Sequence, residues 1–200
     1  MTGIVNSTGA RSGVIGATTF NGAIGSSATG LTGIKVVDQW RIYQDYGATT
    51  GQELNSYWTR ADNDKMGDGT NALIGGSTKM TESSGVWKFP LTGIWHVYVK
   101  ITMLPTGGSV NPYGSIQVSA NNAGSFSDGE LISAGSWAVS VNASLYMNAI
   151  FDIDNVANSG SDGVCVKFSF GGGSGSNLLT VQGASTEWYS GATFTRLGDT

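Results

Sequence analysis

The chain has 200 residues, 31 of them glycine and 3 proline, and 40% are hydrophobic; that apolar share excludes a disordered chain, and the lack of a strict every-third-residue glycine excludes collagen. Charged residues make up only 12%, with 10 Lys plus Arg against 14 Asp plus Glu for a formal charge of -4. The basic residues are scattered from Arg11 to Arg196, which argues against the phosphate-neutralising patch that nucleic-acid binding requires.

In chain order, residues 1–33 stand apart. Gly3, Gly9, Gly13, Gly16, Gly22, Gly25, Gly30 and Gly33 punctuate small residues, and Phe20 is the only aromatic. Ile4, Val5, Val14, Ile15, Phe20 and Ile24 make the segment too apolar for a purely solvated linker, so it reads as an extended anchoring arm that orders against a partner; a disordered tail is the competing reading. The start of the chain has neither the basic residues nor the apolar stretch of a signal peptide, and no run is long enough to span a membrane. Retention in the cytoplasm where it is made is therefore expected, and the sequons at Asn6 and Asn142 carry no weight there.

Residues 34–200 form the second unit, in which apolar residues recur with period two, the mark of half-buried strands. Expected strands are Lys35 to Tyr43, Ser56 to Ala61, Gly114 to Ala120, Ser136 to Val141, Ser144 to Ile153, Val164 to Phe170, Leu178 to Gln182 and Ala192 to Leu197. The clearest pattern runs from Trp87 to Met103, with Trp87, Phe89 and Leu91 alternating before Gly93 and Trp95, Val97, Val99, Ile101 and Met103 after it. Pro90 would remove a ladder hydrogen bond from a single strand, so two strands joined at Pro90 to Gly93 are expected. Turns are expected at Pro105 to Gly108, Asn121 to Gly124, Asn158 to Gly163 and Gly171 to Ser176, where Gly and Asn reach positive backbone angles. About ten short strands and no helix imply an all-β sandwich or jelly roll.

Chemistry is sparse. His96 is the only histidine and falls on the face opposite Trp95 and Val97, and no serine sits in a Gly-x-Ser-x-Gly turn. Phosphate-loop and dinucleotide fingerprints are missing too, so no catalytic residue is assigned and no cofactor is expected. A glycan hydrolase survives only because two carboxylates are hard to exclude. Asp62 and Asp64, an Asp-x-Asp start followed by Gly67 and then Asp68, partly match a calcium loop. Met66 stands where an oxygen ligand is wanted and Leu73 replaces the closing Glu, which favours a plain polar loop. Cys165, the only cysteine, lies between Val164 and Val166 and reads as a small buried hydrophobe. Trp40, Trp58, Trp87, Trp95 and Trp137 fall in strand-like stretches and read as core or subunit interface, whereas Trp188 and Tyr189, near a turn, are the candidates for ligand contact.

Two stretches carry a resemblance: Trp58-Thr59-Arg60-Ala61-Asp62, and Met80-Thr81-Glu82-Ser83-Ser84-Gly85-Val86-Trp87-Lys88-Phe89-Pro90-Leu91-Thr92-Gly93-Ile94-Trp95. With the closing Thr193-Phe194-Thr195-Arg196-Leu197-Gly198-Asp199-Thr200, they resemble the strands of complement- and tumour-necrosis-factor-like jelly rolls. The arm Asn6-Ser7-Thr8-Gly9-Ala10-Arg11-Ser12-Gly13-Val14-Ile15-Gly16 and the Trp-Thr-Arg-Ala-Asp and Arg-Leu-Gly-Asp-Thr motifs are similar to virion structural proteins of tailed phages, marine and cyanobacterial ones especially. The resemblance implies a homotrimer, with Trp87, Phe89, Trp95, Val97, Phe168 and Phe194 as candidates for core or trimer contact. It implies a non-enzymatic capsid decoration or cement protein of the virion, with the major capsid protein as partner and neither nucleic acid nor membrane. A tail-fibre or head-fibre tip that meets a host surface glycan is the alternative.

Overall fold

The computed structural model describes residues 34, 36–48, 52–61, 73–74, 78–105, 112–133, 142–156, 163–172 and 179–199, all within the unit Thr32–Thr200. The anchoring-arm residues, the calcium-loop carboxylates Asp62, Asp64 and Asp68, the expected strand at 136–141 and Trp137 lie outside them.

No helix occurs among the described residues. The strands are β1 (Val36–Ile42), β2 (Tyr46–Ala48), β3 (Gln52–Glu53), β4 (Trp58–Arg60), β5 (Leu73–Ile74), β6 (Thr81–Ser83) and β7 (Val86–Lys88). They continue as β8 (Gly93–Pro105), β9 (Tyr113–Ser119), β10 (Ser127–Ser133), β11 (Ala143–Ile153), β12 (Cys165–Gly171), β13 (Leu179–Val181) and β14 (Gly191–Gly198). One sheet runs β2-β13-β8-β14-β1-β4, with β11 on the other edge of β8 and β5 beside β1. The second runs β10-β9-β12-β7-β6, with β3 beside β12. All ladders are antiparallel, and from β7 onward the chain crosses repeatedly between the two sheets, which makes a jelly roll.

The alternation read from the sequence sets the layers. Trp95, Val97, Val99, Ile101 and Met103 of β8 are fully buried, while Ile94, His96, Tyr98 and Lys100 between them are half-exposed. The candidates Trp87, Phe89, Trp95, Val97, Phe168 and Phe194 all lie in this inter-sheet core. Trp87 is at its centre. From the short strand β7 it meets Trp40 edge-on (centroids 4.6 Å apart, planes at 84°), Trp58 (5.1 Å, 89°) and Phe194 (5.0 Å), and so touches three strands of the opposite sheet.

The motif glycines have definite tasks. Ser84 and Gly85 both have positive φ (52° and 78°) and close the β6–β7 hairpin, as a two-residue turn matched to strand twist requires. Gly93 has φ 125°, and a Cβ there would stand 2.3 Å from the Gly198 carbonyl oxygen, so only glycine lets the last strand pass the start of β8. Arg196, buried beside that point, donates to the Thr92 carbonyl at 2.8 Å and pairs with Asp199.

Some expectations are corrected. Leu91 leaves the inward pattern and is exposed, because the Pro90–Thr92 turn breaks the alternation. Pro105 is the last residue of β8, and the rest of the turn expected at Pro105 to Gly108 lies outside the described residues. The turn after β9 takes its positive φ from Asn122 and Ala123 (51° and 70°), not from Gly124. Strand β10 was not expected, since a register shift between Asp128 and Glu130 disrupts its period. The short β2, β3, β5 and β6 also carry too few residues to show a period.

A buried ion pair, invisible in the sequence, ties β1 to β4. Asp38, fully buried on the inward side of β1, accepts from Arg60 Nε (3.1 Å), from Arg60 Nη2 (3.3 Å) and from the Met80 N–H (2.9 Å). The Arg60 guanidinium also lies 4.2 Å from the centroid of the Trp40 ring. Asp38→Ala leaves the Met80 N–H unpaired, while Arg60 keeps its bond to the Met80 carbonyl. The change is expected to lower unfolding free energy by about 1–3 kcal/mol in urea titrations, with Asp38→Asn losing less. Cys165 is buried, and burial pushes its thiol pKa up against the smaller lowering effects of Ser119, the Ala123 backbone, Lys88 and Lys167. The folded pKa thus exceeds the unfolded one, so the associated stability is present below the unfolded thiol pKa and is lost as pH rises through the folded value. The native thiol is expected to resist maleimide at neutral pH and to react fully once the chain is unfolded.

Candidate functional site

The two sheets present different faces to their surroundings. On the β7/β9/β12 sheet the outward positions are mostly polar: Lys88, Gln117, Lys167 and Ser169 are half-exposed beside Val86 and Tyr113, Ser115 is buried, and Lys167 pairs with Glu53 of β3. The outward face of the β8/β11/β14 sheet is mixed, with Ile94, Tyr98, Tyr146 and Ile150 set among His96, Lys100, Asn148, Asp152, Thr193 and Thr195. Antiparallel register aligns it in rows: Asp152 beside Ile94; Ile150 beside His96 and Thr195; Asn148 beside Tyr98 and Thr193; Tyr146 beside Lys100 and Gly191. Ile150 is 66% exposed and Tyr146 53% exposed, on a strand whose inward residues Leu145, Met147 and Ile153 are buried.

Tyr98 joins this surface into one aromatic path, with its ring centroid 6.4 Å from Tyr146 on one side and 6.4 Å from Trp188 on the other, stacked at 29° on the latter. Burial first, and the Tyr146 phenol second, raise the Tyr98 pKa, so its hydroxyl stays neutral at physiological pH. Lys100 Nζ sits 6.0 Å from the Trp188 centroid. Trp188 is held flat across the sheet because its Nε1 donates to the Trp40 carbonyl at 3.0 Å. Gly191 makes room for it, since a Cβ there would stand 2.0 Å from Trp188 Nε1.

Of the ligand-contact candidates, Trp188 is thus half-buried in this face and Tyr189 is exposed beside it. The Tyr189 carbonyl accepts from the Thr102 hydroxyl at 2.7 Å. Among the described residues no three or more His, Cys, Asp or Glu cluster in a way that could hold a metal ion. His96 is half-exposed among Ile150, Thr195 and Tyr98. Sequence reasoning missed Tyr146 and Ile150. The usable signal was their position: they alternate with the buried set in Ser144 to Ile153, where polar side chains are expected on a solvated strand face.

No protein-family model and no curated protein matches the chain. Among solved structures it is similar to the tumour necrosis factor Eiger from S. frugiperda, at 11% identity over 84% of this chain and 96% of that one, with a TM-score of 0.56. It is also similar to murine APRIL, at 12% identity over 81% of this chain and 98% of that one, with a TM-score of 0.50. The fold is therefore a tumour-necrosis-factor-like jelly roll, and at these identities the likeness is one of fold.

Gly191→Ala is expected to lift Trp188 off the sheet. Faster iodide quenching of tryptophan fluorescence and a stability loss of roughly 1–3 kcal/mol would register it, within the range typical of disruptive point changes.

Proposed function

We propose that this chain is a non-enzymatic structural protein of a virus particle, of the tailed-phage kind its sequence resembles, in which three copies associate through the outward face of β8, β11 and β14. The observation that carries the self-association is the exposure of Ile150 and Tyr146 beside Tyr98 and Ile94. Large apolar side chains exposed together on one sheet face mark an interaction site, and here they alternate with His96, Lys100, Asn148 and Asp152. The same face bears Lys100 near one end and Asp152 near the other, so a second copy brings both charges to a complementary surface.

In this reading residues 1–33 anchor the trimer to the major capsid protein, as a decoration or cement protein added to the virion in the host cytoplasm. Three arms on one trimer raise the effective concentration of each, so a modest single contact becomes firm attachment. The second reading is a tail-fibre or head-fibre tip meeting a host glycan, favoured by exposed Tyr189 next to Trp188.

Ile150→Lys with Tyr146→Lys is expected to convert the oligomer to a folded monomer in sedimentation velocity runs. A trimer that persists, or a wild-type chain that sediments as one subunit, refutes the interface. Deleting residues 1–33 is expected to leave the trimer intact and to abolish binding to empty capsids; undiminished binding refutes the arm's role without touching the interface.

A further inference from the structure

At the far side of the same sheet from β11, a cleft of about 370 Å³ opens at the ends of β1 and β4. Its lining is Arg41, Tyr43, Trp58, Thr59 and Ser185. That is a guanidinium, three hydroxyl side chains and two aromatic rings, with no carboxylate among them, in a chain whose formal charge is -4.

The walls are fixed before any ligand arrives. Arg41 and Thr59 are register partners across β1 and β4, which sets them side by side on the outward face. The loop bearing Ser185 is pinned to β1 by the Ala184 N–H donating to the Ile42 carbonyl (3.0 Å), and to the following turn by the Gly183 N–H donating to Asp45 (2.9 Å). Gly183 permits that approach, because a Cβ would stand 2.4 Å from the Gln44 carbonyl oxygen. On the other wall Tyr57 adopts φ 64°, a conformation that costs a bulky residue roughly 1–3 kcal/mol and persists only where its surroundings enforce it. Here the Tyr43 N–H donates to the Tyr57 carbonyl at 2.9 Å and the two rings meet edge-to-face at 5.8 Å. Tyr43 remains 42% exposed and supplies the open aromatic surface, because the Trp58 indole points into the core against Trp87 with its N–H on the Leu54 carbonyl (2.7 Å).

We infer that this cleft binds an acidic sugar unit, a pyranose ring carrying a carboxylate. The carboxylate pairs with Arg41, the ring face lies on Tyr43, and the ring hydroxyls exchange hydrogen bonds with Thr59 and Ser185. Arg41 is only 8% exposed and has an interaction within the fold, yet a guanidinium carries five N–H donors, so the edge that reaches the cleft can serve a second acceptor. The cleft is shallow and open, and its volume lies near the lower end of the range of about 300–1,000 Å³ usual for small-ligand sites, enough for one sugar ring. Wall rigidity of this kind reduces the ordering cost that otherwise weakens saccharide binding. The inference deepens the glycan-recognition reading but depends on neither the trimer nor attachment to a particle.

The test is titration of the full chain with methyl β-glucuronide and, separately, with methyl β-glucoside, read by saturation-transfer NMR and calorimetry. The glucuronide is expected to bind roughly ten- to hundredfold more tightly than the glucoside, the range expected for one hydrogen-bonded charge. Ser185→Trp, at an exposed loop position, is expected to block the cleft and abolish binding with the oligomer and melting temperature unchanged. Arg41→Gln is expected to erase the preference for the charged sugar. Failure of the glucuronide to bind, equal binding of both sugars, or binding that survives Ser185→Trp overturns the inference, while sedimentation of the same samples reports on the trimer independently.

Discussion

The two sheets are joined across Trp87. Its strand has only three residues, yet the indole reaches three strands of the other sheet through Trp40, Trp58 and Phe194. Perpendicular ring contacts of this kind add to area burial and fix the lateral offset of the layers. The arrangement has a cost, because Trp87 Nε1 is buried with no hydrogen-bond partner among the described residues. With the inward positions committed to this seam, the apolar residues on the other side of β8 and β11 are left facing outward.

That outward surplus separates the two faces of the molecule. The β7/β9/β12 sheet turns Lys, Gln and Ser outward together with Val86 and Tyr113, whereas on β8 and β11 Ile94, Tyr98, Tyr146 and Ile150 stand among polar neighbours. The same sheet carries the preformed cleft two strands beyond β8, where Arg41 and Thr59 meet. Self-association and ligand binding are thus assigned to neighbouring regions of one sheet, both supported from beneath by the aromatic core.

Much of the fold was legible because β8, β11 and β14 alternate cleanly over seven or more residues, and Pro90 marked the break between β7 and β8. The motif glycines were legible as motif, but their reasons were not. Gly93 is required by the approach of Gly198, which is over a hundred residues away in sequence. The Asp38–Arg60 pair was hidden for the same reason, since nothing local distinguishes a carboxylate facing the core from one facing water. The cleft was hidden more deeply, because its residues come from β1, β4 and the loop before β14 and share no spacing. The outward aromatics lay between. Tyr146 and Ile150 alternate plainly with the buried series, but period two alone does not tell which apolar residues of a strand face the core.

The placement of β14 has a consequence for how the molecule is made. It lies between β8 and β1 in the middle of its sheet, and Val36 faces Arg196 across the ladder. Until residues 191–198 are inserted, β8 and β1 each display an unsatisfied row of amides and carbonyls, which is an invitation to foreign strands. Any fragment stopping short of Gly191 keeps that gap permanently. Assembly of this sheet is therefore a late, long-range closure, slow by the rule that distant pairings delay folding, and most exposed to aggregation while its middle strand is missing.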